Sequence, residues 1–257
     1  MTKSSDTSRS ARCSVSIAPV RLAPDDRSEM TTQLLFGEGC ERLEDRPPWV
    51  RVRIRHDGYE GWMDEKQLIP ADMDDADHAM VFDLVGHVTR DDEARPVVLG
   101  CRLPGYDGMH FHLNGRRYAY GGTIMEPGPH QVRHLDRITG KYLHAPYLWG
   151  GRSPYGIDCS GLTQVIMAFL GVSLPRDASR QIDHGETVHF VHESLPGDLA
   201  FFIDDEEAIH HVGLVIGDGT ILHASGEVRL DTLDHQGIFH RTRRTYTHRL
   251  ATIKRML

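Results

Sequence analysis

In the first half of the chain, apolar residues recur at every second position in short runs broken by turn residues, the pattern of half-buried strands. Runs such as "VSIAPVRLAP", "TTQLLFGEGC" and "WVRVRIRHDGYEGWMDEKQLIP" occupy residues 15–72. Val50, Val52 and Ile54 alternate with arginines, and Asp57-Gly58 supplies a hairpin turn, so a small antiparallel barrel is expected here. A second strand-rich block, 78–124, contains "MVFDLVGHVT" and "RPVVLGCRLPGYDGMHFHLNGRRYAYGG", with Asn114-Gly115 as its turn signal, and reads as a diverged repeat of the first. Residues 1–14 are expected to be a flexible N-terminus. Pro and Gly in "IMEPGPHQVRHLDRI" mark a linker, after which a further domain is expected over 130–257.

In that last domain the period changes. Leu162, Val165, Ile166, Phe169 and Leu170 fall at i, i+3, i+4, i+7 and i+8, one stripe of a helix that Gly171 can end. Cys159 sits in the first turn and Asp158 is the predicted N-cap. Free N–H groups and the dipole of a first turn stabilise a thiolate, so the position predicts a Cys159 pKa below the usual value of about 8.5. The competing reading of Cys159 is a small buried residue, the common fate of a free cysteine.

Composition narrows the chemistry. With 257 residues, 39% of them hydrophobic, 25 Gly and 13 Pro, the chain has material for two or three compact domains. Its net charge of -8 comes from 37 acidic against 29 basic side chains, and no long basic run offers a footprint for nucleic acid or an anionic membrane surface. No apolar run approaches the roughly 20 residues of a membrane span, nor is there a signal-peptide core near the N-terminus. Taken as the full chain, it is expected to be cytoplasmic. Cys13, Cys40, Cys101 and Cys159 contain no CxxC pair, and the 17 histidines contain no HExxH; pairs such as His110 and His112 are as expected on a strand as at a metal site. Neither a metal nor an organic cofactor is expected.

Three strand-like runs follow the helix: "GDLAFFI" (197–203), "HVGLVIG" (211–217) and "TILHASG" (220–226). The last two form a hairpin with a histidine on each arm. A two-residue Asp218-Gly219 turn in plain register pairs Leu214 with His223 and leaves His211 on the opposite face. An odd loop or a bulge pairs Gly213 with His223 and brings His211 to the same face, about 7–8 Å away on the diagonal. A histidine that takes a thiol proton, oriented by a second polar group, is the arrangement of acyl-transfer enzymes, and Cys159, His211 and His223 fit it.

"YLWGG-x5-IDCSGL", "LPRDASRQ", "PGDLAFF", "HHVGLVIGDG" and "ILHAS", in this order, resemble the successive motifs of the NlpC family, also called NlpC/p-sixty, of papain-like cysteine peptidases that cut bacterial cell-wall peptides. The resemblance implies an α+β papain-like catalytic domain, with Cys159 as nucleophile, His211 as base, His223 as orienting residue and Tyr147 as an oxyanion donor. His210 competes for the role of base, but the family pattern places that histidine directly before "VG", which selects His211; His210 then lies on the strand's other face.

The N-terminal blocks resemble the two bacterial SH3-like barrels that precede the catalytic domain in γ-D-glutamyl-L-diamino acid endopeptidases of muropeptide recycling. That resemblance implies a murein peptide substrate whose free L-alanine amino group meets Glu38, Tyr59 and Asp177, while Trp149, Asp158 and Ser160 line the neighbouring D-glutamyl pocket. Two carboxylates and a phenol are suitable acceptors for an ammonium. Ordinary alternatives are a solvated turn for Glu38, a barrel edge for Tyr59 and a helix cap for Asp177. One departure stands out: Ala178 follows Asp177 where the subgroup commonly has a substrate-contacting serine. The competing functions are a non-catalytic cell-wall binder and a papain-like amidase or acyltransferase acting on a different bond.

Overall fold

The computed structural model describes residues 9–71 and 78–257 and divides into two compact units, 1–126 and 127–257. Among the described residues, no helix is long and apolar enough to cross a membrane.

The first unit is built of strands. Met30–Leu35, Ile17–Arg21, Glu60–Asp64, Trp49–Ile54, Gly39–Arg46, Ser10–Cys13 and Leu68–Pro70 lie in that order in a seven-stranded antiparallel sheet. Val50, Val52 and Ile54 point into its core while Arg51 and Arg53 reach outward to Glu60, as the alternation predicts. The flexible start expected at 1–14 needs correction: residues 1–8 lie outside the described residues, but Ser10–Cys13 is a strand paired on both edges. Its inward Ala11 and Cys13 are small and join the core, a short alternation easily missed in a polar N-terminus.

Residues 78–124 form two further small sheets, of four and three strands. The predicted Asn114-Gly115 turn is present, with positive φ at both residues and Leu113 opposite Arg116. Residue 72, at the end of the first expected barrel, lies outside the described residues. This second block shares a core with the first: Leu35 and Phe36 pack among Val81, Val97, Leu103 and Phe111, and the Arg102 N–H donates to the Phe36 carbonyl at 2.8 Å.

The second unit combines the helix Cys159–Phe169 with a seven-stranded antiparallel sheet. Gly171 ends the helix at φ +80°, the left-handed position for which glycine is suited. The long strand Thr245–Arg255 pairs with Leu199–Ile203 on one side and Gly237–His240 on the other, so the sheet closes on itself. Ile209–Gly217 and Thr220–Ser225 form the expected hairpin. Its register shifts between Val215 and Gly217, and the pairs Leu214↔Leu222 and Val215↔Ile221 put Gly213 opposite His223. The expected bulge is therefore what turns His211 and His223 to one face.

Candidate active site

Asp158 is extended and its carboxylate accepts the Gly161 N–H at 2.7 Å, which starts the helix at Cys159. The same carboxylate accepts the Gly150 N–H at 2.8 Å and is paired with Arg176, which also donates to the Ser160 hydroxyl at 2.7 Å. Asp158, Ser160 and Arg176 are all buried. The polar atoms of Asp158 and Ser160, expected to face substrate, are thus engaged inside the protein by an arginine that the sequence reading passed over. Its one signal in the sequence is its place directly before Asp177 in "LPRDAS".

The Cys159 thiol is 7% exposed. Burial and the neighbouring Asp158 charge push it up to about 11, against the N–H groups of Val212 and Ser160 and the Arg176 charge, which lower it. The depression expected from a first-turn position is therefore overturned: desolvation outweighs the helix terminus. A thiol held in this way needs a base to become a nucleophile. Its hydrogen bond from Val212 lays the sulfur against the residue that follows His211.

His211 Nε2 lies 2.9 Å from His223 Nδ1, and His223 Nε2 lies 3.2 Å from an Asp231 carboxylate oxygen. All three residues are buried. Burial, followed by the facing His248, His223 and His210, pushes His211 well below the usual histidine range, so its imidazole rests neutral and able to accept a proton. The sequence reading missed Asp231 and His248. The His248 ring stacks on that of His211, centroids 4.2 Å apart.

His210 also departs from expectation. The register shifts where Phe202 pairs with His211 and Ile203 with Ile209, so His210 is the extra residue of a bulge and is not simply on the opposite face. Its ring stacks on His248 at 5.7 Å, though His210 itself is exposed. Ring nitrogens of His211, His223 and His248 come within 4.8 Å of one another, close enough for a metal. A histidine lone pair lies in the ring plane, however, and the rings of His211 and His248 face each other with 22° between planes. A shared ion would require one ring to leave the stack.

Tyr147 is 38% exposed, and burial together with the Cys159 and Asp158 charges pushes its phenol up to about 12, so it keeps its proton. Trp149 is exposed. Asp177 is half-buried at the start of the short helix Ala178–Gln181, yet its side chain makes no capping hydrogen bond, unlike the ordinary cap reading. In the first unit, Glu38 is buried, not solvated: it accepts the Leu35 N–H at 2.8 Å and lies 3.9 Å from His56 and 3.8 Å from Arg102. Tyr59 is partly buried against that unit's core, with its N–H on Asp57 at 2.9 Å.

The sequence profile of the NlpC/P60 family matches residues 144–247, and that of the bacterial dipeptidyl-peptidase Sh3 domain matches 20–68. A gamma-D-glutamyl-L-lysine dipeptidyl-peptidase of Bacillus subtilis (strain 168) is 33% identical over 211 residues, 75% of this chain and 71% of that protein. The chain belongs to the NlpC/P60 family. It is a cysteine peptidase with a papain-like NlpC/P60 fold and a bacterial SH3 domain. A second relative, the gamma-D-glutamyl-L-lysine dipeptidyl-peptidase of Bacillus cereus (strain ATCC 10987 / NRS 248), is 30% identical over 77% of this chain and 68% of its own length. Among solved structures, an NlpC/P60 family protein from Bacillus cereus ATCC 10987 aligns over 96% of this chain and 99% of its own, with a TM-score of 0.81 at 24% identity. An NlpC/P60 endopeptidase from Photobacterium damselae subsp. piscicida aligns over 95% of this chain and 70% of its own, with a TM-score of 0.68 at 15% identity. These two likenesses concern the fold alone.

Proposed function

We propose that the protein is a cell-wall peptide hydrolase that cleaves the bond between γ-D-glutamate and an L-diamino acid in peptides with a free N-terminal L-alanine. The observation that carries the chemistry is the buried thiol of Cys159 against the N–H of Val212, whose preceding residue, His211, rests neutral and hydrogen-bonded to His223. The bond is chosen on the names of the two Bacillus relatives and on the ordered motifs.

The Cys159 proton passes to His211 as sulfur attacks the γ-glutamyl carbonyl carbon. The developing oxyanion accepts hydrogen bonds from the Cys159 N–H at the helix start and from the protonated Tyr147 phenol. As the tetrahedral species collapses, the C–N bond breaks and the His211 imidazolium gives its proton to the leaving amine. A water molecule, deprotonated by His211, then attacks the thioester carbonyl; the C–S bond breaks to release the γ-glutamyl acid, and the His211 imidazolium returns the proton to sulfur. Asp177, a half-buried carboxylate with no capping bond, is read as a counter-charge for the free ammonium.

The test is mass spectrometry of products from L-Ala-γ-D-Glu-diaminopimelate and from the lysine peptide, each beside its N-acetylated form. Release of L-Ala-γ-D-Glu from the free-amine peptides alone is the expected result. Equal cleavage of acetylated peptide would sink the amine requirement, and cleavage of neither would remove the proposed bond.

A further inference from the structure

We propose that Asp231 is a positioning residue of the catalytic centre, assigning the protons of His223 and His211 so that Nδ1 of His211 is the nitrogen left bare for the Cys159 proton. This rests on reading Cys159, His211 and His223 as that centre.

The strand Glu227–Leu233 pairs with Thr220–Ser225 so that Arg229 stands opposite His223 and Asp231 opposite Ile221. Asp231 is therefore two residues beyond the partner of His223 and on its face. The residue is fully buried, yet every contact it makes suits a charged carboxylate. One oxygen accepts from His223 Nε2 at 3.2 Å and Arg229 Nε at 2.7 Å; the other accepts the Arg241 N–H at 3.1 Å and Arg229 again at 3.3 Å. Burial alone would raise the Asp231 pKa, but these donors outweigh it and hold the carboxyl well below its usual range.

An ionised carboxylate only accepts hydrogen bonds. His223 Nε2 must then carry a proton, and in the neutral ring Nδ1 is a lone pair. That lone pair faces His211 Nε2 at 2.9 Å, so His211 carries its own proton on Nε2. The remaining nitrogen of His211 is Nδ1. When His211 takes a second proton it becomes a better donor to His223, and the charge is stabilised through that ring by Asp231. Other groups bear on the pair: His248 and His210 disfavour a charge on His211, and Arg229 both holds Asp231 and reaches His240 Nδ1 at 3.4 Å.

Two readings of the full-length protein test this. The first needs no substitution: nitrogen NMR of protein labelled with ¹⁵N in its histidine rings. Protons on Nε2 of both His211 and His223 are expected, and a proton on Nδ1 of neutral His223 overturns the assignment. The second compares wild type with Asp231→Asn, following peptide cleavage and the pH dependence of Cys159 alkylation by iodoacetamide, located by peptide mass spectrometry. The variant is expected to lose about 10- to 100-fold in kcat with KM within about threefold, and to need higher pH for the same alkylation rate. An unchanged alkylation profile in folded variant overturns the proposal, and should the variant not fold, the wild-type spectrum decides. Failure of the wild type to cut the proposed peptide counts against the substrate alone, since neither the ring spectrum nor alkylation involves it.

Discussion

His248 lies face to face with His211, ring centroids 4.2 Å apart and planes within 22°. The two residues come from different strands, and both strands pair with Leu199–Ile203, which brings them together. Stacked in this way, with His211 buried and His248 half-buried, neither ring gains from a positive charge. Burial first, then His223 and His210, pushes His248 down to about 4, and His211 is held lower than its usual range by the same kinds of cause.

That stack predicts an acid-sensitive fold. Both histidines have lower pKa values folded than unfolded, so below about pH 6.5 the unfolded chain binds protons that the native state refuses. Stability should be flat near neutrality and fall as pH drops from about 6.5 toward 4, by up to about 1.4 kcal/mol per pH unit for each histidine held neutral, less for the partly exposed His248. Asp231 acts in the same direction at lower pH: its depressed carboxyl contributes stability above about pH 4 that is lost as it protonates. Urea unfolding across this range, with His248→Leu expected to flatten the slope between pH 6.5 and 4, checks the assignment.

Arg176→Ala should be among the costly substitutions in the second unit. It removes the guanidinium from the buried carboxylate of Asp158 and leaves that charge with backbone and hydroxyl donors only. Breaking one side of a buried pair costs about 3–5 kcal/mol, which denaturant midpoints measure directly. A loss under about 1 kcal/mol would mean the pair is not what anchors the helix start.

Gly213→Ala tests the close approach behind the histidines. A Cβ there would stand 2.7 Å from the Ile221 side chain and 3.1 Å from His223 Cβ. Overpacking of this kind costs about 1–3 kcal/mol, and because His223 is one of the displaced groups, kcat should fall more than KM rises. Thermal melting and steady-state kinetics on the same preparation separate the two effects.

Cys159→Ala removes the proposed nucleophile while keeping the helix stripe intact. Turnover of the γ-glutamyl peptide should fall by about 10⁴-fold or more, with the far-ultraviolet circular dichroism unchanged. Turnover near the wild-type rate would take Cys159 out of the mechanism.

Much of the site was legible because its signals are local. The cap at Asp158, the apolar stripe ending at Gly171 and the odd register of the 211–223 hairpin each depend on residues close in sequence, and each is found in the fold. Arg176 was passed over because a cation beside an acid in a loop-like run looks solvated until its burial against Asp158 is known. Asp231 was hidden by an inverted pattern, since in "VRLDTL" the apolar Leu230 is 39% exposed and the charged Asp231 is buried. Period-two reasoning assigns those two faces the other way round.

The order of motifs, the thiol in a helix's first turn and a bulged hairpin with two histidines on one face belong to the sequence by itself, because backbone geometry converts spacing into direction over short distances. Only tertiary packing decided how those groups are charged. Burial raised the Cys159 thiol against the helix terminus, and long-range strand pairing brought His248 onto His211 and Asp231 onto His223. Desolvation and the electrostatics of neighbours depend on everything folded around a group, so spacing along the chain does not encode them.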